Sequence, residues 1–285
     1  MIHVLFNPLS NNKKGALVEA ELKEIFRNKK IDFTDITNFQ NVKDFCSKLS
    51  SSDELIIAGG DGTLTRFADD IYGTKPCKKV FLYPCGSGND FFNDIKDKCN
   101  FINNLIPLEE YIKSLPDVYV NGKKHKFVNG IGYGIDGYCC EEGDKVRAVS
   151  DKKVNYAGIA IRGLLGKFHP SNATVTVDGE VRHYKHVWLA PAMLGRFYGG
   201  GMMIAPDQDR LNKEKTLTCV ICHKANALKI LMIFPKIFTG THTKYTDIVE
   251  FIKGHDITVE FDKPQALQID GETISNVSKY QAIYK

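Results

Sequence analysis

Residues 55–63, Leu-Ile-Ile-Ala-Gly-Gly-Asp-Gly-Thr, constrain the fold of this chain more than any other stretch. The four apolar residues at 55–58 read as a strand buried on both faces. Gly59, Gly60 and Gly62 then let the backbone turn tightly and approach a ligand without interference from a Cβ. Thr63 and Thr65 stand where a helix begins, so hydroxyls and unpaired N–H groups can point at phosphate oxygens. Asp61 is an odd neighbour for bare phosphate, and it makes sense with a Mg²⁺ ion or its waters between the two. The plainer reading, a glycine turn in which Asp61 caps the following helix, suits the strand–loop–helix context less well.

A second loop of the same kind, Pro84-Cys85-Gly86-Ser87-Gly88-Asn89-Asp90, follows the next strand-like run at 80–83. Two such loops on successive strands, each carrying an aspartate, are hard to obtain by chance. Neither is a Walker A sequence, and the protein-kinase signatures H-R-D and D-F-G are missing. A third element, Asn7-Pro8-Leu9-Ser10, ends the first apolar run, where Asn7 can bond phosphate or ribose and Ser10 can cap a helix.

Through the first hundred residues, apolar runs near 2–6, 31–36, 55–58 and 80–83 alternate with helical spacing at 15–28 and 42–49 and a helix through Ile71. That order predicts a doubly wound α/β domain with a mainly parallel sheet, whose ligands sit beyond the carboxyl ends of the strands. From about residue 117 the turn pairs Asn121-Gly122, Asp178-Gly179 and Asp270-Gly271 separate runs rich in Val, Tyr and Phe, which predicts antiparallel hairpins. The later runs 256–261 and 266–270 read as two strands, and helices are expected at 138–149, 154–166 and 226–238. The chain thus divides into an α/β domain over 1–118 and a β-rich, sandwich-like domain with helices over 119–277.

A net charge of +4, spread in pairs such as Lys13-Lys14 and Lys29-Lys30, argues against a nucleic-acid partner. No apolar stretch approaches the ~20 residues of a spanning helix, and the N-terminal run has neither a basic leader nor a cleavage site. A cytoplasmic protein with eight reduced cysteines is the expectation.

The ordered set of motifs resembles the diacylglycerol kinase catalytic-domain family, above all its soluble bacterial lipid kinases, which are also similar to sphingosine kinases. It comprises Asn7-Pro8, the 59–63 and 86–90 loops, Asn129-Gly130-Ile131-Gly132, Gly199-Gly200-Gly201-Met202, Ala205-Pro206 and Asp270-Gly271-Glu272. The 59–63 loop alone is shared with NAD kinases and phosphofructokinases; the late Asp-Gly-Glu points to lipid kinases. The resemblance implies ATP and Mg²⁺ as cofactors, held between two domains, and a lipid substrate in the second. It places Asn7, Ser10, Lys13, Gly59, Gly60, Asp61, Gly62, Thr63, Gly86, Ser87, Gly88 and Asn89 around the nucleotide. Asp61, Asp90 and Asp117 would hold the metal, Asp270 would be the general base and Glu272 would lie nearby. It also implies that a last strand at about 278–285 returns to the first domain, and that the protein makes transient peripheral contact with a membrane. A homodimer stays open. The chain departs from the family at Asn11-Asn12, which leaves Lys13 to stand in for the usual phosphate-facing lysine, at Thr65-Arg66, and in a thinned acidic cluster at Asp207 and Asp209.

Diacylglycerol is the favoured acceptor; a sphingoid base, NAD, or a silent nucleotide- or lipid-binding homologue are the alternatives. Three further signals carry less. Cys219-Val220-Ile221-Cys222-His223 fits a haem-attachment pattern but lies in a strand, where residues three apart face opposite sides. Gly132-Tyr133-Gly134-Ile135-Asp136-Gly137 lacks the ribose-binding acid of a dinucleotide site and reads as close backbone packing. The 228–238 stretch reads as a buried helix with a snorkelling lysine rather than as an interfacial one.

Overall fold

The computed structural model describes residues 1–8, 15–38, 42–71, 79–86, 89–150 and 154–285. The chain forms two compact units, Met1–Leu115 and Pro116–Lys285, and each is described by itself. The first unit runs β1 (Ile2–Phe6), α1 (Gly15–Ile25), β2 (Ile31–Asp35), α2 (Val42–Ser47), β3 (Glu54–Gly59), α3 (Asp61–Asp70), β4 (Lys79–Pro84), α4 (Asp90–Ile95), β5 (Ile106–Pro107) and α5 (Glu109–Ile112). The sheet order is β2-β1-β3-β4-β5, parallel except where the short β5 pairs antiparallel with β4. Alternation along the central strands feeds both faces, as a covered parallel sheet requires. Ile56 and Ala58 join Ile2, Val4, Val18 and Leu22 in one core, while Leu55 and Ile57 are buried on the other side with Leu64 and Phe67 of α3.

The second unit begins with β6 (Asp117–Val120), β7 (Lys123–Lys126), β8 (Gly130–Tyr133), α6 (Ile135–Val149) and α7 (Tyr156–Arg162). It continues through β9 (Ser171–Val177), β10 (Glu180–Val187), β11 (Ala192–Met193), β12 (Phe197–Tyr198), β13 (Met202–Met203) and β14 (Leu217–Cys222). It closes with α8 (Ala227–Ile237), β15 (Val249–Gly254), β16 (Asp256–Ile269) and β17 (Glu272–Ile283). Ten of these strands form one sheet, running β15-β14-β11-β8-β16-β17-β6-β7, with β9 and β10 joined through β16. All three expected turn pairs are two-residue hairpin loops with positive φ at both positions, the conformation that Asn-Gly and Asp-Gly adopt most readily. The runs read as two strands at 256–261 and 266–270 are one strand, because the chain carries Pro264 through a register irregularity between Glu260 and Gln265 instead of breaking there.

The second glycine pattern is a packing device. A Cβ on Gly137 would lie 1.9 Å from the Ala266 carbonyl oxygen, so α6 can rest on β16 only without one. Gly134, at φ +97°, provides the entry to α6.

Two expectations about the domain ends are corrected. The strand expected to return to the first domain does not: β17 pairs with β16 and β6, and the Tyr284 N–H donates to the His255 carbonyl at 2.8 Å. Val277, Tyr280 and Ala282 are fully buried, and the Tyr280 hydroxyl donates to the Ala190 carbonyl, so this strand's apolar face belongs to the second unit. The boundary also falls earlier than 118, since Asp117 and Val118 are the first residues of β6.

Candidate active site

The two glycine loops emerge side by side, because β3 and β4 are parallel neighbours paired through Gly59 and Pro84. They touch through backbone. A Cβ on Gly86 would lie 2.3 Å from Gly60 Cα, and one on Gly60 would lie 2.8 Å from Gly86 Cα. Gly59 is equally constrained, with the Thr63 side chain lying across it (2.4 Å from a Cβ built there). Asn7 stands one residue beyond Phe6, whose partner on β3 is Ala58, so it ends at the same level of the sheet.

Asp61 stitches the loops together. Its two carboxylate oxygens accept the backbone N–H groups of Asp90 and Phe91, each at 2.8 Å. These are the first N–H groups of α4, which receives no side-chain cap from its own N-cap residue, Asn89. A carboxylate at a helix N-terminus satisfies orphan donors and faces the positive end of the helix dipole. Asp61 therefore caps a helix, as the plainer sequence reading held, but the neighbouring helix rather than its own. Its own helix, α3, has Gly60 as N-cap residue, which provides no side-chain cap. An uncapped N-terminus after a glycine turn is a ready anion-binding surface.

Asn89 has φ +48° and carries a buried side-chain oxygen that has no hydrogen-bond partner among the described residues. A buried acceptor without a donor is costly, and a ligand hydroxyl or amino group would complete it. Asp90 is buried at the start of α4. Arg66 is exposed on α3 beside Asp70, whose carboxyl is raised by burial and lowered in part by that guanidinium. Ser10, Lys13, Ser87 and Gly88 lie outside the described residues.

In the second unit, Asp270 is the first residue of the β16–β17 loop, at φ +46°. Its carboxylate accepts three backbone N–H groups, from Val128 at 2.6 Å, Asn129 at 2.8 Å and Gly130 at 2.9 Å. The Asn129-Gly130 motif thus serves as a cradle that fixes the Asp270 carboxylate in one orientation. Arg210 braces that segment, donating to the Val128 carbonyl and the Asn129 side-chain oxygen. Glu272 opens β17 and is exposed.

Asp117 stands in the second unit beside two lysines. The antiparallel register sets it opposite Lys126, whose ammonium lies 2.6 Å away in an ion pair, and Lys124 approaches to 3.0 Å. Of the carboxylates expected to hold Mg²⁺, Asp61 and Asp90 belong to the first unit and Asp117 to the second. Among the described residues no cluster of three or more His, Cys, Asp or Glu side chains that could hold a metal ion is found.

Sequence reasoning missed Asp136. It lies on the first turn of α6, its Oδ2 buried and without a hydrogen-bond partner among the described residues. Burial raises its carboxyl to about 7, and a hydrogen bond from the Tyr198 hydroxyl offsets part of that rise. The aspartate in the Gly132–Gly137 pattern was the available signal, obscured by the glycines around it.

Residues 1–114 match the diacylglycerol kinase catalytic domain, and residues 129–283 match the YegS C-terminal NAD kinase beta sandwich-like domain. The chain belongs to the diacylglycerol kinase catalytic-domain family, a lipid kinase-like family, in the branch that joins these two domains. Among its relatives, YtlR of Bacillus subtilis (strain 168) is 24% identical over 287 residues, covering 94% of this chain and 92% of that protein. The diacylglycerol kinase of Mycobacterium tuberculosis (strain H37Rv) is 24% identical over 259 residues, covering 87% and 81%. A crystal structure of a diacylglycerol kinase from Bacillus anthracis str. Sterne superposes with a TM-score of 0.63 at 19% identity, over 99% of this chain and 94% of that one, a likeness of fold. No helix among the described residues is long and apolar enough to cross a membrane.

Proposed function

We propose that this kinase transfers the γ-phosphoryl group of ATP to the hydroxyl of a lipid, with diacylglycerol as the acceptor and phosphatidic acid as the product. The reading rests on one observation above the rest: two glycine loops at adjacent parallel strand ends, held in backbone contact and stitched by Asp61. The loose transition state of phosphoryl transfer demands positioning and charge neutralisation more than covalent help. The uncapped start of α3 supplies N–H groups for phosphate oxygens, and the Asn89 oxygen takes a donor from the nucleoside. In the second unit, three N–H groups hold Asp270 ready for the acceptor hydroxyl, whose proton becomes acidic only late in the reaction. The relative named diacylglycerol kinase supports the choice of acceptor. The Mg²⁺ that phosphoryl transfer requires enters with the nucleotide, as Mg·ATP.

The test is incubation with γ-labelled ATP and a panel of diacylglycerol, a sphingoid base and NAD, with products separated by thin-layer chromatography. Labelled phosphatidic acid is expected. Label in the sphingoid-base phosphate or in NADP would move the assignment to that acceptor. Nucleotide binding without any labelled product would favour a silent homologue.

A further inference from the structure

Arg210 is only 6% exposed, and a buried arginine needs oxygen partners for its guanidinium. It stands between β13 and β14 in a loop that two amide side chains close on itself. Gln208 donates to the Thr216 carbonyl at 2.9 Å and accepts from the Thr218 hydroxyl at 2.6 Å. Asn212 donates to the Asp209 and Thr216 carbonyls at 2.7 and 3.0 Å and accepts the Thr216 N–H at 2.7 Å. The loop thereby carries the guanidinium to the segment that cradles Asp270. Its Nη1 donates to the Val128 carbonyl at 3.1 Å and its Nη2 to the Asn129 side-chain oxygen at 3.0 Å. The Val128 carbonyl and the Asn129 N–H are two ends of one peptide group, and that N–H donates to Asp270 Oδ1 at 2.8 Å. Cation, peptide and carboxylate thus follow one another. The next peptide repeats the pattern without a charge. The Asn129 carbonyl accepts the Leu194 and Gly195 N–H groups at 2.9 and 3.0 Å, and the Gly130 N–H meets the same Oδ1 at 2.9 Å.

We propose that Arg210 is the positioning residue of the base: through the Val128–Asn129 peptide it orients the Asp270 carboxylate and favours its ionised form. This role rests on Asp270 being the base. Hydrogen bonds in a chain polarise one another, so a donor on the carbonyl strengthens the N–H at the other end of the peptide. A guanidinium stays charged across the working pH range and offers N–H groups at fixed spacing. Its fork ties the backbone of Val128 to the side chain of Asn129, so the N–H groups that meet Asp270 keep one orientation. A carboxylate held in this way is a weak base in a fixed place, which suits an acceptor whose proton leaves late. Lysine at position 210 would keep the charge and lose the fork, which separates the two halves of the role.

The experiment has two arms, both on the full chain. In the first, without nucleotide or lipid, the backbone amides of Val128, Asn129 and Gly130 are followed by heteronuclear NMR as pH is varied. The titration they share is assigned to Asp270 by its loss in Asp270→Asn. Arg210→Met is expected to move its midpoint upward by about one pH unit, because the anionic form loses a favourable charge. Arg210→Lys is expected to return the midpoint to within about 0.3 of wild type. Arg210→Gln gives the same reading as Arg210→Met if the latter is unstable. In the second arm, phosphoryl transfer from Mg·ATP to diacylglycerol in micelles is measured against pH. Arg210→Met is expected to lower kcat about 10²-fold with KM for ATP within about twofold, and to move the acidic limb upward by the same interval. Arg210→Lys should lose part of kcat with its limb in place. Added to Asp270→Asn, Arg210→Met should cost no further rate. A midpoint and limb that stay in place, or losses that multiply, would overturn the proposal and leave the base reading standing. Undiminished transfer by Asp270→Asn would remove the base reading, and the role of Arg210 with it.

Discussion

Replacing Asp61 by alanine tests the stitch between the loops. The substitution leaves two part-buried N–H groups, those of Asp90 and Phe91, without the acceptor they now hold at 2.8 Å. A hydrogen bond to a charged acceptor contributes about 1.5–3 kcal/mol, and loss of a helix cap costs about 0.5–2 kcal/mol. These figures overlap in what they count, and water can reach a part-buried site, so about 3 kcal/mol is the expected loss. That corresponds to a fall of about 12 °C in the melting of the first unit. Asp61→Asn keeps one acceptor oxygen but turns an NH₂ toward the other N–H, so it should lose a comparable or slightly smaller amount. Calorimetry on the whole chain reads the stability, and amide hydrogen exchange at residues 90 and 91 reads the site. Both variants should also lose phosphoryl transfer, because the loops separate. A melting point within about 1 °C of wild type, with unchanged exchange at those two amides, would refute the stitch. Activity lost against such a background would put Asp61 on the reacting groups themselves.

Other expectations follow from the same geometry. Asp136→Asn should stabilise the protein increasingly as pH rises. The folded carboxyl titrates near 7 against 3.8 when unfolded, so the wild type loses stability across that window, and the difference in Tm should widen through it and level off above; a constant or narrowing gap would count against burial as the cause. Asp117→Ala should destabilise by about 3 kcal/mol in urea melts by removing the carboxylate 2.6 Å from the buried Lys126 ammonium, whereas Lys126→Met should cost clearly less; equal losses would contradict that reading. Gly86→Ala, which drives a Cβ into Gly60 Cα, should abolish nucleotide binding and lower Tm, and near-normal binding would show that the loops are not in contact. Mg²⁺ alone should leave Tm unchanged while Mg·ATP raises it, and a rise with the ion alone would reveal a protein-built site.

The glycine loops were legible because their constraint is local: a strand, a tight turn and a helix start all fall within ten residues. The Asp61 contact was not, since it depends on where the start of α4 lands after a separate strand. The aspartate's charge was read as needing a positive partner, and one such partner is the start of α4. Asp270 divides the same way. Its hairpin turn is written in Asp-Gly, while its cradle comes from residues about 140 positions earlier. The lysine beside Asp117 was not legible, because a single strand does not show its opposite neighbour, here Lys126. In α8 the apolar residues run all round the helix, so periodicity gave no hint that one side stays outside the core.

The pairing of β6 with β17 has a consequence for biosynthesis. The opening strand of the second unit finds its place beside the closing one, and β8 likewise waits for β16. Such contacts between distant segments form late and slowly. A ribosome can release a finished α/β unit while the sheet behind it is still unassembled, its edges exposed to chaperones or to other nascent chains. A stop codon anywhere before residue 272 would thus leave the second unit without its final strand, however complete its helices.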